Sequence, residues 1–361
     1  MIAKQHFPAA PSLSPPDPAR RVTCLDALRF IAAAAVVFQH VAEVSSPGGA
    51  ALVGLLSPGV FGVVLFFLVS GYVIPMAARG RFELSRFAIR RLFRIYPLVL
   101  VTFALLALAG FSGAVPAFAY VRAASLFDWL ANLFLVQDYT GAKPLWGVTW
   151  TLSLEVGWYA LFALSLMIWG EGFHRRLAIA VPLALLVLAL LSVASGVRLP
   201  FGRLGMIYAA MLGCRLYHGA AGGIPQARLL LDVAVFLLVM ALCNGVAFGH
   251  FRHPNITLNQ ALVPWLVAPL LFAAVILVPA VRGSRLFSSR TLAWLGSISF
   301  STYLLHPLAI GLAERMGGGF IPVALVLTLL LSALGYYLVE LPGQKLGAAL
   351  SRRRVPEGLP A

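Results

Sequence analysis

The sequence predicts an all-α polytopic membrane protein of about ten transmembrane helices with both termini in the cytoplasm. Three observations predict it: an apolar surplus, apolar runs of span length separated by short polar joints, and an uneven placement of Lys and Arg between alternate joints. Of 361 residues, 61% are hydrophobic and 11% charged. Soluble domains are about 45–50% apolar and about 25% charged, so a core of this length has no room for the excess and lipid must solvate it. A hydrocarbon layer about 30 Å thick takes about 20 apolar residues per helix. The length therefore fits about ten spans and no large soluble domain.

Residues 1–22 are rich in Pro, Ser and Ala and read as a disordered cytoplasmic tail. The first span runs from about Cys24 to Val44, too long for the apolar stretch of a signal peptide. Later spans fall near 57–77, 95–112, 148–169, 177–195, 203–217, 229–248, 259–280, 292–312 and 320–341. Residues 124–137 (ASLFDWLANLFLVQ) are apolar but short and carry Asp128, which marks an interfacial or re-entrant segment. The layout is thus a tail at 1–22, a transmembrane domain at 23–344 and a basic cytoplasmic tail at 345–361.

The net charge of +15 is also compatible with a nucleic-acid binder, and its distribution decides between the two. With the N-terminus inside, 20 of the 27 Lys and Arg fall in the inner segments 1–22, 78–94, 175–176, 215–228, 282–290 and 345–354. Six fall outside (Arg122, Lys143, Arg198, Arg203, Arg252 and Arg315), and Arg29 lies within the first span. That is the positive-inside pattern, and nine or eleven spans would scramble it. No internal repeat is visible, which argues against an inverted-repeat transporter. Cys24, Cys214 and Cys243 form no disulfide framework or metal-ligand spacing, and His250 and His253 read as residues of an outer loop.

Ionisable residues inside spans are costly and commonly functional. Arg29 and His40 are eleven residues apart on the first span. Eleven steps make about three turns plus 20°, so the two share a face about 16 Å apart in height. Arg29 reads either as a snorkelling residue paired with Asp26 or as a functional cation. His40 reads either as an interhelical hydrogen-bonding group or as a general base. Glu155, in WTLSLEVGW, is a carboxylate well inside an apolar run, near the expected height of His40. A His–Glu pair would satisfy both groups. His306, followed by Pro307, falls in an outer half-span where the proline frees a backbone carbonyl, with Tyr303 one turn away. Ser70 and Gly71 read as a small-residue helix contact, since a nucleophilic serine would need a base at that height. Arg86, Arg90, Arg91 and Arg94 crowd one inner segment, RFAIRRLFRIYP, and guanidinium groups suit phosphates. Glu340 falls at the same inner level.

Six segments, taken in order, resemble the membrane acyltransferase-3 family, whose members include O-acetyltransferases of bacterial surface polysaccharides and acyltransferases of macrolide antibiotics. They are LDALRFIAAAAVVFQH with its Arg29-x10-His40 spacing, VVLFFLVSGYVIP, RFAIRRLFRIYP, WTLSLEVGWYALF, LGSISFSTYLLHP and YYLVELPGQ, reaching from about residue 24 to 344. The resemblance implies ten spans, essential roles for Arg29 and His40, and donor-phosphate contacts by Arg90, Arg91 and Arg94. It implies acyl-CoA, acetyl-CoA first among them, as a donor substrate, with no permanently bound cofactor or metal. Glu155 matches the first acidic position of the family's W-S-L-S-x-E segment. Val156 stands where a second acidic residue is common, and Phe30 where a small residue is usual. Some members carry an extra esterase-like domain, which is not expected here.

The expected catalytic set is therefore His40, Arg29, Glu155 and His306, with Glu155 or His306 orienting His40. The expected reaction moves an acyl group to a hydroxyl of a carbohydrate or lipid-linked glycan at the bacterial inner membrane, without nucleic acid. The alternative is a polytopic transporter of a small polar or glycan-related substrate.

Overall fold

The computed structural model describes residues 23–353 except 79, 81, 252, 254, 255, 317 and 318. The expected tail at 1–22 and the end of the basic tail, 354–361, lie outside the described residues. Among the described residues no strand forms. In chain order the helices are α1 (Thr23–Ser45), α2 (Pro47–Leu56), α3 (Pro58–Ala77) and α4 (Leu84–Ser112), then a 3-10 stretch at Pro116–Ala123. Next come α5 (Leu126–Leu133), α6 (Gln137–Thr140), α7 (Trp150–Trp169), α8 (Phe173–Ser195), α9 (Phe201–Ala220) and α10 (Gln226–Asn244), the last continued by a π-helical turn at Gly245–His250. The chain closes with α11 (Leu258–Leu277), α12 (Pro279–Arg282), α13 (Arg290–Ser297), α14 (Ser299–Met316), α15 (Phe320–Gly335), a π-helical turn at Tyr336–Glu340 and α16 (Leu341–Arg353).

Local chemistry explains the boundaries. Thr23 to Ser45 contains no Gly or Pro, so α1 runs unbroken until Ser45-Ser46-Pro47, where the proline disfavours helix in the residue before it. Ser46 is extended and its Oγ accepts the Gly49 N–H at 3.0 Å, capping α2, with Pro47 at the first helical position. Ser57, left-handed at φ 46°, is the single residue between α2 and α3, and Pro58 opens α3. Ser125 and Asp128 form a reciprocal capping box on α5, and Thr257 and Gln260 form another on α11.

Among the described residues, seven helical runs are long and apolar enough to cross a membrane: α1, α3, α4, α7 through α8, α10 with its π turn, α11, and α15 through α16. The pair α13 and α14, broken at Ile298, makes an eighth if it is one span. The sequence expectation of ten counts α7 and α8 separately and adds α9. The run from Trp150 to Ser195 is 46 residues long and is interrupted at Gly170–Gly172. Helix α9 is 20 residues long but carries Arg203, Arg215 and His218. The third expected span, 95–112, is only the latter part of α4, a 29-residue helix whose first turns hold the arginine cluster. The 124–137 segment forms α5 and the start of α6, each far too short to span.

The chain divides into two compact units. The first holds α1–α3, α7 from Gly157 onward and α8–α13. In it α1 packs on α3 and α13, α3 on α9 and α11, and α10 on α8, α9 and α11. Helices α3 and α9 approach so closely that a β-carbon on Gly71 would collide with the Ala210 carbonyl, and one on Gly213 with that of Leu68. The Ser70–Gly71 motif is therefore a small-residue helix contact. The second unit holds α4–α6, α7 up to Val156, and α14–α16. There α14 packs on α15, and α4 packs on α16, where Gly343 and Gly347 admit Pro97 and Phe93. Residues 345–353 are thus a packed helix.

Candidate active site

In the first unit, α1 fixes the two residues singled out by their spacing. Arg29 Nη1 lies 3.0 Å from Asp26 Oδ1, one turn earlier, and the arginine side chain stays 26% exposed. Asp26 is buried, and its Oδ2 makes no hydrogen bond among the described residues. At the other end of α1, His40 Nδ1 lies 3.0 Å from Glu43 Oε2. Gln39 donates from Nε2 to Glu43 Oε1 at 2.8 Å and accepts the Gly59 N–H of α3 at 2.7 Å. Glu43, which sequence reasoning passed over, is thus a carboxylate on His40; its i, i+3 spacing was the available signal. Ser70 Oγ is buried and has no hydrogen-bond partner among the described residues, so nothing there activates it as a nucleophile.

The first unit holds a further polar cluster at α8–α10. Arg215 Nε and Nη2 bind Asp232 Oδ2 at 2.9 and 2.7 Å, and Arg228 Nε stands 3.5 Å from Oδ1. Arg215 Nη1 donates to His174 Nδ1 at 2.9 Å, so the neutral His174 ring carries its proton on Nε2. His174 stacks on His218 at 4.1 Å. The Arg215 guanidinium is engaged at all three nitrogens, while Asp232 and the exposed Arg228 line a pocket open to the surface.

In the second unit, the WGVTWTLSLE segment docks onto α14. Trp146 Nε1 donates to Leu304 O at 2.9 Å, Thr151 Oγ1 lies 2.9 Å from Tyr303 Oη, and Tyr303 Oη donates to Val148 O at 3.1 Å. Thr151 and Glu155 are one turn apart on α7, so this docking fixes the turn that carries the carboxylate. His306 Nδ1 lies 2.8 Å from Tyr303 O. That carbonyl is the one Pro307, lacking an N–H, leaves without its helical donor. A carbonyl can only accept, so His306 carries its proton on Nδ1 and keeps Nε2 as the basic nitrogen.

The arginine cluster occupies the first turns of α4. Arg94 forms an ion pair with the fully buried Glu340, which also accepts from Ser301 Oγ at 2.8 Å and Gln344 Nε2 at 3.0 Å. The Arg94 guanidinium lies over the Phe300 ring and the Arg91 guanidinium over that of Phe87. Arg90 Nε donates to Ser351 Oγ at 3.1 Å. Two of the arginines therefore latch α4 to the C-terminal helical run, leaving Arg94 27% exposed. Among the described residues, no group of three or more His, Cys, Asp or Glu side chains is placed to hold a metal ion.

Among the described residues the fold is helical, with seven or eight helices long and apolar enough to span a membrane, and the family profile makes this membrane protein an acyltransferase. The chain belongs to the acyltransferase-3 family, whose profile, described as an acyltransferase domain, matches residues 22–339. It is 29% identical over 333 residues to the acyltransferase MdmB of Streptomyces mycarofaciens, covering 83% of this chain and 81% of that one. It is 28% identical over 351 residues to the putative membrane-bound transacylase BcsY of Komagataeibacter xylinus, covering 90% and 84%. With the peptidoglycan O-acetyltransferase OatA of Listeria monocytogenes it shares 23% identity over 319 residues, 79% of this chain and 49% of that one. No solved structure matches the chain. These relatives lend the transport reading no support.

Proposed function

We propose that this acyltransferase moves an acyl group, acetyl first among the candidates, from acyl-CoA to a hydroxyl of a carbohydrate such as a cell-surface polysaccharide. The observation that carries the reading is α1 itself: an unbroken helix bearing Arg29 and His40 on one face, with a carboxylate on His40 Nδ1. The relatives support the acyl group and acceptor class, one being named a peptidoglycan O-acetyltransferase. In this reading the protein sits in the bacterial inner membrane with ten spans and both termini cytoplasmic, as its charge distribution supports. The donor is a substrate, and no resident cofactor or metal takes part.

His40 takes the proton of the acceptor hydroxyl as that oxygen attacks the thioester carbonyl. The C–S bond breaks, the ester forms, and the proton passes to the leaving sulfur, releasing free CoA thiol. General-base assistance of this kind is worth about 10²–10⁴ in rate. Arg90, Arg91 and Arg94 grip the donor phosphates, and Arg29 is the essential cation of α1. Glu155 and His306 complete the catalytic set, His306 through its basic Nε2. An apolar surround limits loss of the acyl group to water.

The test is thiol release and acyl transfer by the purified protein in lipid nanodiscs with acetyl-CoA, followed by mass spectrometry of cell-envelope glycans with and without the protein. His40→Ala and Arg29→Ala should each lower turnover about 100-fold or more. Turnover near that of the wild type in either variant removes that residue from the mechanism.

A further inference from the structure

We propose that Glu43, held in place by Gln39 and the start of α3, is the positioning carboxylate of His40; the inference rests on the reading of His40 as the general base. A carboxylate only accepts hydrogen bonds, so the 3.0 Å approach of Glu43 Oε2 to His40 Nδ1 puts the ring proton on Nδ1. Nε2 is left as the nitrogen able to take a proton from an acceptor hydroxyl. Glu43 is itself restrained, because its other oxygen accepts from Gln39 Nε2 at 2.8 Å. Gln39 is restrained in turn: its Oε1 accepts the Gly59 N–H at 2.7 Å, which fixes which end of the amide faces the carboxylate.

A side chain at position 59 would push the end of Gln39 off this seat. A β-carbon there would stand 2.7 Å from Gln39 Oε1 and 2.9 Å from its Cδ. Ser57 in the left-handed region and Pro58 at the first helical position set where that N–H points. The relay runs from the α3 backbone through Gln39 and Glu43 to the imidazole, entirely within the first unit. His40 and Glu43 side chains are 41% and 40% exposed. An exposed pair adds little to stability, so what it supplies here is the tautomer and orientation of the ring. The carboxylate expected from the sequence at Glu155 is then not needed to orient His40.

The experiment is ¹⁵N NMR of the full chain labelled at histidine, with the His40 signals assigned by their loss in His40→Ala, alongside steady-state kinetics. In the wild type the neutral His40 ring should be mainly the Nδ1–H tautomer. Glu43→Ala should shift it toward Nε2–H and lower kcat about 10–100-fold, with KM for the donor within about threefold. Gln39→Ala should move both readouts in the same direction, by less. Glu43→Gln, whose single amide oxygen is claimed by Gln39 Nε2, turns its NH2 toward His40 Nδ1 and should also shift the ring toward Nε2–H and lower kcat. An unchanged tautomer in Glu43→Ala overturns the proposal even if His40→Ala is inactive. An active His40→Ala instead overturns the base reading, and with it the catalytic part of this proposal, whatever the tautomer shows.

Discussion

Replacing Gly71 by alanine puts a methyl group where the backbone of α9 already runs. The added carbon would stand 2.7 Å from Ala210 Cα, besides meeting the Ala210 carbonyl. Ordinary carbon–carbon contact lies at about 3.5–4.0 Å, so α3 and α9 must part by about 1 Å. Overpacking of this kind costs about 1–3 kcal/mol, and a collision with backbone belongs at the upper end. The gain in helix propensity from Gly to Ala returns about 1 kcal/mol, for a net loss of about 2 kcal/mol. At about 2–4 °C per kcal/mol, the melting temperature should fall by about 4–8 °C. Gly213→Ala forces the same two helices apart from the other side, where its β-carbon would stand 3.0 Å from Tyr72 N. Once the helices have separated for one methyl, the second finds room, so the double variant should lose less than the sum by at least about 0.5 kcal/mol. The assay is thermal unfolding of the detergent-purified protein followed by intrinsic fluorescence. A single variant that melts with the wild type, or a double variant that is strictly additive, would refute the close contact.

Three other outcomes follow from the second unit. Glu340→Ala leaves Arg94, Ser301 and Gln344 without their shared acceptor; loss of a buried partner costs about 3–5 kcal/mol, reduced to about 2–3 kcal/mol because Arg94 reaches solvent, and a raised KM for acyl-CoA should accompany the lower melting temperature. Tyr303→Phe removes the hydroxyl that joins Thr151 and Val148 and should cost about 1–2 kcal/mol, read by the same melts. The Lys143 N–H, then the Ser125 side chain and N–H, hold the Asp128 carboxyl below its usual range. Its folded value is therefore depressed, so the support it gives is present above the unfolded value of about 3.9 and is lost as pH falls through the folded one. Hydrogen exchange across residues 124–145 should accelerate as pH falls below about 4 after correction for intrinsic rates, and Asp128→Asn should abolish that added step.

The legible part of the fold was what solvent imposes. Helix α1 was readable to within a residue or so because an uninterrupted apolar run meets Ser-Ser-Pro. Helix α2 was not, because PGGAALVGLL has the glycines and proline of a loop; it is helical through the Ser46 cap and packing on α1 and α11. The first turns of α4 were left outside the expected span because arginines depress hydropathy without opposing helicity. The break at Ile298 has no proline to announce it and lies among Gly296, Ser297 and Ser299. At the candidate site, helical periodicity made the common face of Arg29 and His40 readable. It could not rank Glu43 against Glu155, since a carboxylate deep in an apolar run is the louder signal. Arg94 and Glu340 were both read at one level, yet their pairing joins residues 246 apart and exists only through the packing of the C-terminal run on α4.

The 29 residues of α4 make a rod about 43 Å long at 1.5 Å per residue, against a hydrocarbon layer of about 30 Å. In the proposed orientation, with the arginines on the cytoplasmic side, its arginine-bearing turns reach past the hydrocarbon toward the headgroups. On the proposed reading, guanidinium groups there meet two populations of phosphate, the donor's and the membrane's own. A bilayer rich in acidic lipid would then act as a competitive inhibitor held at constant concentration, and the apparent affinity for the proposed acyl-CoA donor would be a property of the surrounding leaflet as much as of the enzyme.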